Sequence, residues 1–264
     1  MSDITLLIDG DSLLYTSGCK ETAVEAIESL DQRIDMILEN TGAERLHFLL
    51  SEGETFRHKL AFSRPYKGNR KGNEPPKWLK LVKEYAKRKY NACSVAGVEA
   101  DDMVVYLKHK MPNSIICAID KDVIKQCPGT HYNYQMEEVS EGVWQMKGFV
   151  TTSTVDAMQF LYTQSITGDS VDGIPALEKV GEKGAKKLLE SLSEEEDPKH
   201  AILTAYTNKY GIAGGISKFA ETFRLVYMLS NDDDFIREVG FIPEIPEPWV
   251  KETPMVEQLN PFKK

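Results

Sequence analysis

The sequence predicts an α/β protein with a mainly parallel central sheet flanked by helices. Three observations predict it. Apolar runs at residues 5–8 (TLLI), 45–50 (RLHFLL) and 114–119 (SIICAI) have strand length and little polar alternation, as strands buried on both faces do. Stretches with helical spacing alternate with these runs up to about Gln135. Short acidic clusters follow the apolar runs, where a parallel sheet exposes the carboxyl ends of its strands.

Each element has its own local reason. The first strand ends at Asp9-Gly10, and Ser12 or Asp11 is a candidate cap for the helix that follows. Residues 23–38 place Val24, Ile27, Ile34, Ile37 and Leu38 on one helical stripe. After the 45–50 strand comes an irregular basic stretch, with Arg57, His58 and Lys59 and then RPYKGNRK at 64–71. Pro75-Pro76 opens a lysine-rich helix over about 77–90. Residues 92–95 read as a short strand, 101–111 as a helix and 114–119 as a central strand. Residues 131–135 and 143–147 read as further strands joined by 137–142. The rest is mostly helical, over 155–166, two short pieces around Val180-Gly181, 201–210 and 218–229. The run 193–197 reads as a solvated loop, and the proline-containing tail after Gly240 as an extended surface segment. The expected division is residues 1–150 as an α/β core and 151–264 as a helical region with that tail.

With 41% hydrophobic and 28% charged residues, the composition is that of a globular protein. The net charge of −9 argues against a generally cationic surface, but a local basic patch matters more than the sum. The four cysteines have no CxxC spacing and pair with no histidine at zinc spacing, so they read as free, buried or half-buried thiols. No apolar segment approaches bilayer length, and the acidic N-terminus lacks the features of a signal peptide, so the expected location is cytoplasmic, with no membrane partner.

The carboxylate clusters are Asp9-Gly10-Asp11, Glu99-Ala100-Asp101-Asp102, Asp120-Lys121-Asp122 and Asp169-Ser170-Val171-Asp172. Acids gathered in one place resist ionising unless cations offset them. Hard divalent cations prefer oxygen ligands, and a pair of them can clamp a phosphodiester. Taken singly, an aspartate at a strand end is as well explained by a helix cap or a turn, and Asp11 can be only that. Four clusters at the same kind of location are not explained by caps. Asp120 and Asp122, two apart at the end of a strand, are expected to face one site. Glu99 and Asp102, three apart at a helix start, are expected to share a face, and Asp169 and Asp172 repeat that spacing in a turn between Gly168 and Gly173.

Two other segments suit nucleic acid. In the basic stretch, Tyr66 offers a ring for base stacking, while Lys67, Arg70 and Arg57 offer cations for phosphates. The segment from Gly173 to Leu189, GIPALEKVGEKGAKKLL, reads helix, glycine turn, helix. Gly181 and Gly184 permit close backbone approach, and Lys183, Lys186 and Lys187 suit phosphates beside a helix start. Nothing in it reads base edges, so binding should follow backbone shape.

These motifs resemble the 5′-nuclease family of flap endonucleases, phage 5′–3′ exonucleases and the 5′-nuclease domain of bacterial DNA polymerase I. IDGDSLLY, RPYKGNR, GVEADDMV, AIDKDV and TGDSVDGIPALEKVGEKGAKKLL resemble the family's signatures in the family's order, from Thr5 to about Leu189. The chain's size points to the phage or bacterial type. The resemblance implies a PIN-like core with a helical arch over about 53–92 and a helix–three-turn–helix over about 169–191. It implies two Mg²⁺ ions, with Mn²⁺ able to substitute. The first is assigned to Asp9, Glu99, Asp101 and Asp102, the second to Asp120, Asp122, Asp169 and Asp172. Lys67 and Arg70 resemble the arch residues that act at the scissile phosphate, and the glycine-lysine element implies a K⁺ site.

The implied activity is 5′–3′ exonuclease and flap endonuclease cleavage, leaving a 5′-phosphate and a 3′-hydroxyl. The implied partners are DNA with 5′ ends or flaps, RNA–DNA hybrid and replication proteins, with the chain acting as a monomer. At one place the chain departs from the family, which has an aspartate just after the second strand. Leu49-Leu50-Ser51-Glu52 stands there, leaving Glu52 to reach an ion or Ser51 to hold a water. Two other classes compete. A non-catalytic protein that binds branched DNA needs the lysines but not the acids. A PIN-type RNase shares the sheet and acids but lacks the glycine-lysine element.

Overall fold

A computed structural model describes residues 4–70, 72–193 and 195–251. The chain begins with β1 (Thr5–Asp9), α1 (Asp11–Gly18), α2 (Ala23–Thr41) and β2 (Arg45–Leu50). Next come α3 (Phe56–Leu60), a 3₁₀ turn (Gly68–Arg70), α4 (Leu79–Lys89), β3 (Cys93–Ser94), α5 (Ala100–Lys110) and β4 (Ile115–Cys117). Then follow α6 (Lys121–Gln126), β5 (Gly129–Ser140), β6 (Val143–Thr152), α7 (Thr154–Thr167) and α8 (Glu182–Glu190). The described chain closes with α9 (Pro198–Tyr210), α10 (Ile212–Val226), α11 (Asp232–Glu238) and β7 (Trp249–Val250).

The strands form one sheet in the order β3-β2-β1-β4-β5-β6, with β7 paired to β2. Pairs β1–β2, β1–β4, β2–β3 and β4–β5 are parallel. The hairpin β5–β6 and the β2–β7 pair are antiparallel. The chain steps outward from β1 to β2 and β3, then returns to lay β4 on the other side of β1. That reversal opens a crevice beyond the carboxyl ends of β1 and β4, where ligands of open parallel sheets collect.

Successive residues of β1 point to opposite faces, which splits the core in two. Leu6 and Ile8 pack with Leu13 and Leu14 of α1, Leu30 and Ile34 of α2, and Val82 and Ala86 of α4. Leu7 packs with Leu49, Ile116, Met103 and Val104 of α5, Val123 of α6 and Phe235 of α11. Leu6, Leu7 and Ile8 are all fully buried, as the unalternating TLLI run requires. A third cluster joins Ile166, Leu177, Ala185, Ile202, Tyr206 and Phe219 of the later helices.

Several expectations change. The central strand is shorter than 114–119, because the chain turns at Asp120 to start α6. Of the two helical pieces expected around Val180-Gly181, only α8 forms, and residues 168–181 are turns and irregular chain around an Asp169–Ile174 bridge. The helix read as 218–229 begins at Ile212. A Cβ on Gly215 would lie 2.4 Å from Thr207 Cα, so the glycine lets α10 seat against α9. Val82 and Ala86 of α4 are fully buried, which docks the helix on the core. Within the tail after Gly240, Trp249–Val250 forms β7 and pairs with the start of β2. Residues 252–264 lie outside the described residues. Cys117 and Cys127 are buried and Cys93 is half-buried, but Cys19 is exposed, and all four are free thiols.

Candidate active site

The carboxyl end of β1 delivers Asp9, whose backbone carbonyl accepts a 2.7 Å hydrogen bond from the Tyr134 hydroxyl. The start of α5 delivers Glu99 as N-cap, with Asp101 and Asp102 in the first turn. Asp120 caps α6 by accepting from the Asp122 amide at 2.7 Å. The 168–173 turn delivers Asp169, which accepts from the Val171 amide at 2.7 Å. Four separate segments thus meet at the crevice. A small cleft there is lined by Tyr66, Glu99, Asp101, Asp120, Asp122 and Asp172, with Arg57 at its base.

The acids crowd one another. Burial and then repulsion from Asp11 and Asp120 push Asp9 up to about 8. Burial, followed by Asp9, Asp120 and Glu99, raises Asp101 well above the carboxylate range. Burial, Asp120 and Asp169 push Asp122 up to about 7. Asp120 therefore lies between two sets, Asp9 with Asp101 on one side and Asp122 with Asp169 on the other. Lys121 reaches the second set, 3.7 Å from Asp169 and 3.9 Å from Asp122. Gln164 of α7 donates to Asp122 at 2.8 Å.

Buried anionic oxygens with too few cations are the donor set that hard divalent ions take, so the residues fit such ions. Among the described residues, no three acidic, histidine or cysteine side chains yet stand in an arrangement that encloses an ion. Protein cations hold part of the set instead. Lys67 Nζ lies 2.6 Å from Glu99 and 3.7 Å from Asp172. Arg70 lies 2.5 Å from Asp172. Burial opposes ionisation of Glu99, but Arg57 and Lys67 outweigh it and hold this carboxyl below its ordinary range.

The backbone of the basic motif is fixed by the turn it faces. Lys67 adopts a left-handed conformation, φ 51°, and its N–H donates to the Asp172 carbonyl at 2.8 Å. Asn69 donates to the Val171 carbonyl at 2.8 Å. A Cβ on Gly173 would lie 3.0 Å from the Pro65 carbonyl oxygen. Motifs a hundred residues apart in sequence are thus held face to face, and Lys67 is aimed into the acids.

Three residue assignments need correction. Arg57, expected at nucleic acid, is 2% exposed and has no surface to offer. It pairs with Asp102 at 2.5 and 2.9 Å and with Glu99 at 3.1 Å, and it donates to the Leu225 and Tyr227 carbonyls. Asp102, expected at the first ion, is fully buried on Arg57 and the Leu229 amide. Glu99 and Asp102 do share a helix face, but Arg57 occupies it. Tyr66, expected to stack on a base, is buried edge-on against His58, with its hydroxyl donating to Glu99 at 2.9 Å. Asp172 is held by Arg70 at 2.5 Å and lies 3.7 Å from Lys67. Gly181, Lys183, Gly184, Lys186 and Lys187 are exposed together at and after the start of α8.

Glu52 turns away from the acids, accepting from Ser94 at 2.7 Å and lying within 3.8 Å of Lys83 and 3.6 Å of Lys87. Ser51 Oγ accepts from the Ala100 amide at 2.9 Å. Asp11 is not a side-chain cap. Gly10 is the N-cap residue, and the Asp11 carboxylate accepts from the Ser51 amide at 3.1 and 3.2 Å. Lys121 and Gln164 are site residues that sequence reasoning does not single out. Lys121 stands in plain view between two acids, whereas nothing local marks Gln164.

No protein-family model matches the chain. A 5′-3′ exonuclease of Mycoplasmopsis pulmonis is 29% identical over 207 residues, 74% of this chain and 69% of that protein. A thermostable DNA polymerase I of Thermus aquaticus is 26% identical over 210 residues, 70% of this chain but 23% of the polymerase. Among solved structures, the T5 D15 protein co-crystallised with metal ions superposes with a TM-score of 0.61 at 17% identity, covering 86% of this chain and 90% of that one. The bacteriophage T5 D15 flap endonuclease in a complex with DNA and metal ions gives 0.55 at 15% identity, over 84% and 99%. No helix among the described residues is long and apolar enough to cross a membrane. Sequence likeness to a 5′-3′ exonuclease over three quarters of its length, the fold shared with the T5 D15 protein and acids gathered at the sheet's switch point make this chain similar to the 5′ nucleases.

Proposed function

We propose that this protein is a structure-specific 5′ nuclease. It removes nucleotides from 5′ ends and cuts 5′ flaps near the junction, leaving a 5′-phosphate and a 3′-hydroxyl. One observation carries the reading. Carboxylates from β1, α5, α6 and the 168–173 turn, several of them buried, converge at one crevice, with Lys67 paired to Glu99 among them.

Two divalent ions, Mg²⁺ with Mn²⁺ as substitute, fit this donor set. Asp9, Glu99 and Asp101 would hold one, and Asp120, Asp122 and Asp169 the other, with Asp172 at the edge. When bound, the ions activate the attacking water and offset charge on the leaving oxygen. The protein's own groups do the rest. Lys67 and Arg70 meet the scissile phosphate and neutralise the charge that grows on it. Both are paired to acids in the free protein, so their charge waits in the crevice. Tyr66 and Arg57 brace Glu99 and fix its direction. Lys121 keeps Asp122 and Asp169 facing the crevice.

The substrate lies across the crevice and the start of α8. There the exposed amides beside Gly181 and Gly184, with Lys183, Lys186 and Lys187, take backbone phosphates and leave bases unread. A K⁺ ion in the preceding turn, RNA–DNA hybrid as a second substrate, contact with replication proteins, action as a monomer and a place in the cytoplasm of a bacterium or infected cell complete the proposal. A purely DNA-binding role gives no use to buried acids that repel one another.

The test is digestion of 5′-labelled duplex, flap and hybrid substrates with Mg²⁺, with EDTA as control and Asp120→Asn as the variant. The expected result is ion-dependent release of short 5′ fragments, lost in the variant. Cleavage that survives EDTA, or an unaltered rate in Asp120→Asn, overturns the reading.

A further inference from the structure

We propose that Asp11 is a further carboxylate of the ion-holding set, supplying from the start of α1 the acid that the end of β2 lacks. This deepens the function proposed above and rests on it.

The crevice lies beyond the carboxyl ends of β1 and β4, and β2 pairs with β1 beside it. β1 ends in Asp9, and the chain leaving β4 carries Asp120. β2, paired to β1 on its other side, ends in Leu50 and continues into Ser51, whose hydroxyl is tied to the Ala100 amide. The next residue, Glu52, is half exposed and held outward by Ser94, Lys83 and Lys87. No acid of the β2 segment therefore faces the crevice.

Asp11 reaches that place from another strand. It follows the N-cap Gly10, and its side chain makes no capping bond in its own helix. Both its oxygens turn across the sheet to the Ser51 amide, 40 residues away in sequence. One carboxylate lying against one N–H keeps most of its lone pairs free. The Asp11 amide lies 3.4 Å from Asp9 Oδ1, and the two carboxylates repel, so they share one space. Lys83 of α4 closes the outer side by donating to the Ser51 carbonyl at 3.1 Å. A helix that needed only an acid in its first turn would leave that side chain in solvent. Here it is half-buried beside Asp9, at a cost that a divalent ion offsets.

The test measures Mn²⁺ binding by titration calorimetry on the full chain. Four variants are compared with the unaltered protein: Asp11→Asn, Asp11→Asn with Ser51→Asp, Asp120→Asn and Glu52→Gln. Asparagine keeps an acceptor for the Ser51 amide, so the fold survives, and the melting temperature without ions checks this. Asp11→Asn should weaken Mn²⁺ binding about tenfold or more. Adding Ser51→Asp should restore most of it by returning a carboxylate to the same place from β2. Glu52→Gln should change nothing. Unchanged affinity in Asp11→Asn beside a clear loss in Asp120→Asn refutes the role of Asp11 and leaves the ion site standing. A weakened Asp11→Asn that Ser51→Asp fails to restore refutes it as well. Absence of Mn²⁺ binding in the unaltered protein refutes the ion site itself.

Discussion

Arg57 holds its charge where water does not reach, with five hydrogen bonds to Glu99, Asp102 and two backbone carbonyls of the 225–227 segment. Removing one member of such a buried pair leaves the other charge unmatched. Arg57→Leu should therefore cost about 3–5 kcal/mol in chemical denaturation. Arg57→Lys should recover little, because an ammonium cannot make the paired contact to Asp102. Lys67 answers to a different test. Its Nζ meets Glu99 in a part-buried site, so Lys67→Ala should leave the fold intact and slow cleavage about 10²–10³-fold. DNA affinity should stay within a few-fold in a binding assay, and an unaltered cleavage rate refutes the assignment. At this scale the sequence is most legible where chemistry is tied to strand ends, as at Asp9 and Asp120. It is least legible for Arg57. A basic run records charge but not burial, and the acids that bury Arg57 lie 42 and 45 residues away.

At the scale of the element, the proposed duplex contact rests on helix α8. Its buried residue is Ala185, and Lys183, Lys186 and Lys187 stay in solvent. Every phosphate that a lysine no longer neutralises should reduce the slope of log affinity against log salt by about 0.9. Replacing all three lysines by alanine should flatten that slope by about two to three units, with little change of selectivity among sequences. An unaltered slope places the duplex elsewhere. The glycine before the turn belongs to the same device. Gly168 has φ 61°, and a Cβ there would lie 2.5 Å from the Ile174 and Pro175 carbonyl oxygens. Long elements such as α2 and α5 are readable because their apolar spacing persists over several turns. α3, α6 and α11 are too short to show a period, and β7 spans two residues whose pairing is with β2, far away in sequence. The start of α10 at Ile212, six residues before the expected 218, rests on Gly215 packing against Thr207, which is a tertiary fact.

At the scale of the whole molecule, topology converts scattered acids into one site. The strand order is not written in the sequence, but its consequence is, since each acidic cluster follows the end of an apolar run or opens a helix. The return of the chain to β4 beside β1 brings Asp9 and Asp120 to the same crevice, and α5 and the 168–173 turn close it. Sequence spacing anticipates the gathering of these acids. It does not anticipate that Arg57, Lys67 and Arg70 hold Asp102, Glu99 and Asp172 in the free protein, because those pairings arise only when distant segments pack. The most direct measurement is anomalous diffraction from crystals soaked in Mn²⁺. The account predicts one peak within about 2.2 Å of oxygens from Asp9, Glu99 or Asp101, and a second beside Asp120, Asp122 and Asp169. Mn²⁺ bound only elsewhere on the surface, with the crevice free of any peak, would contradict it.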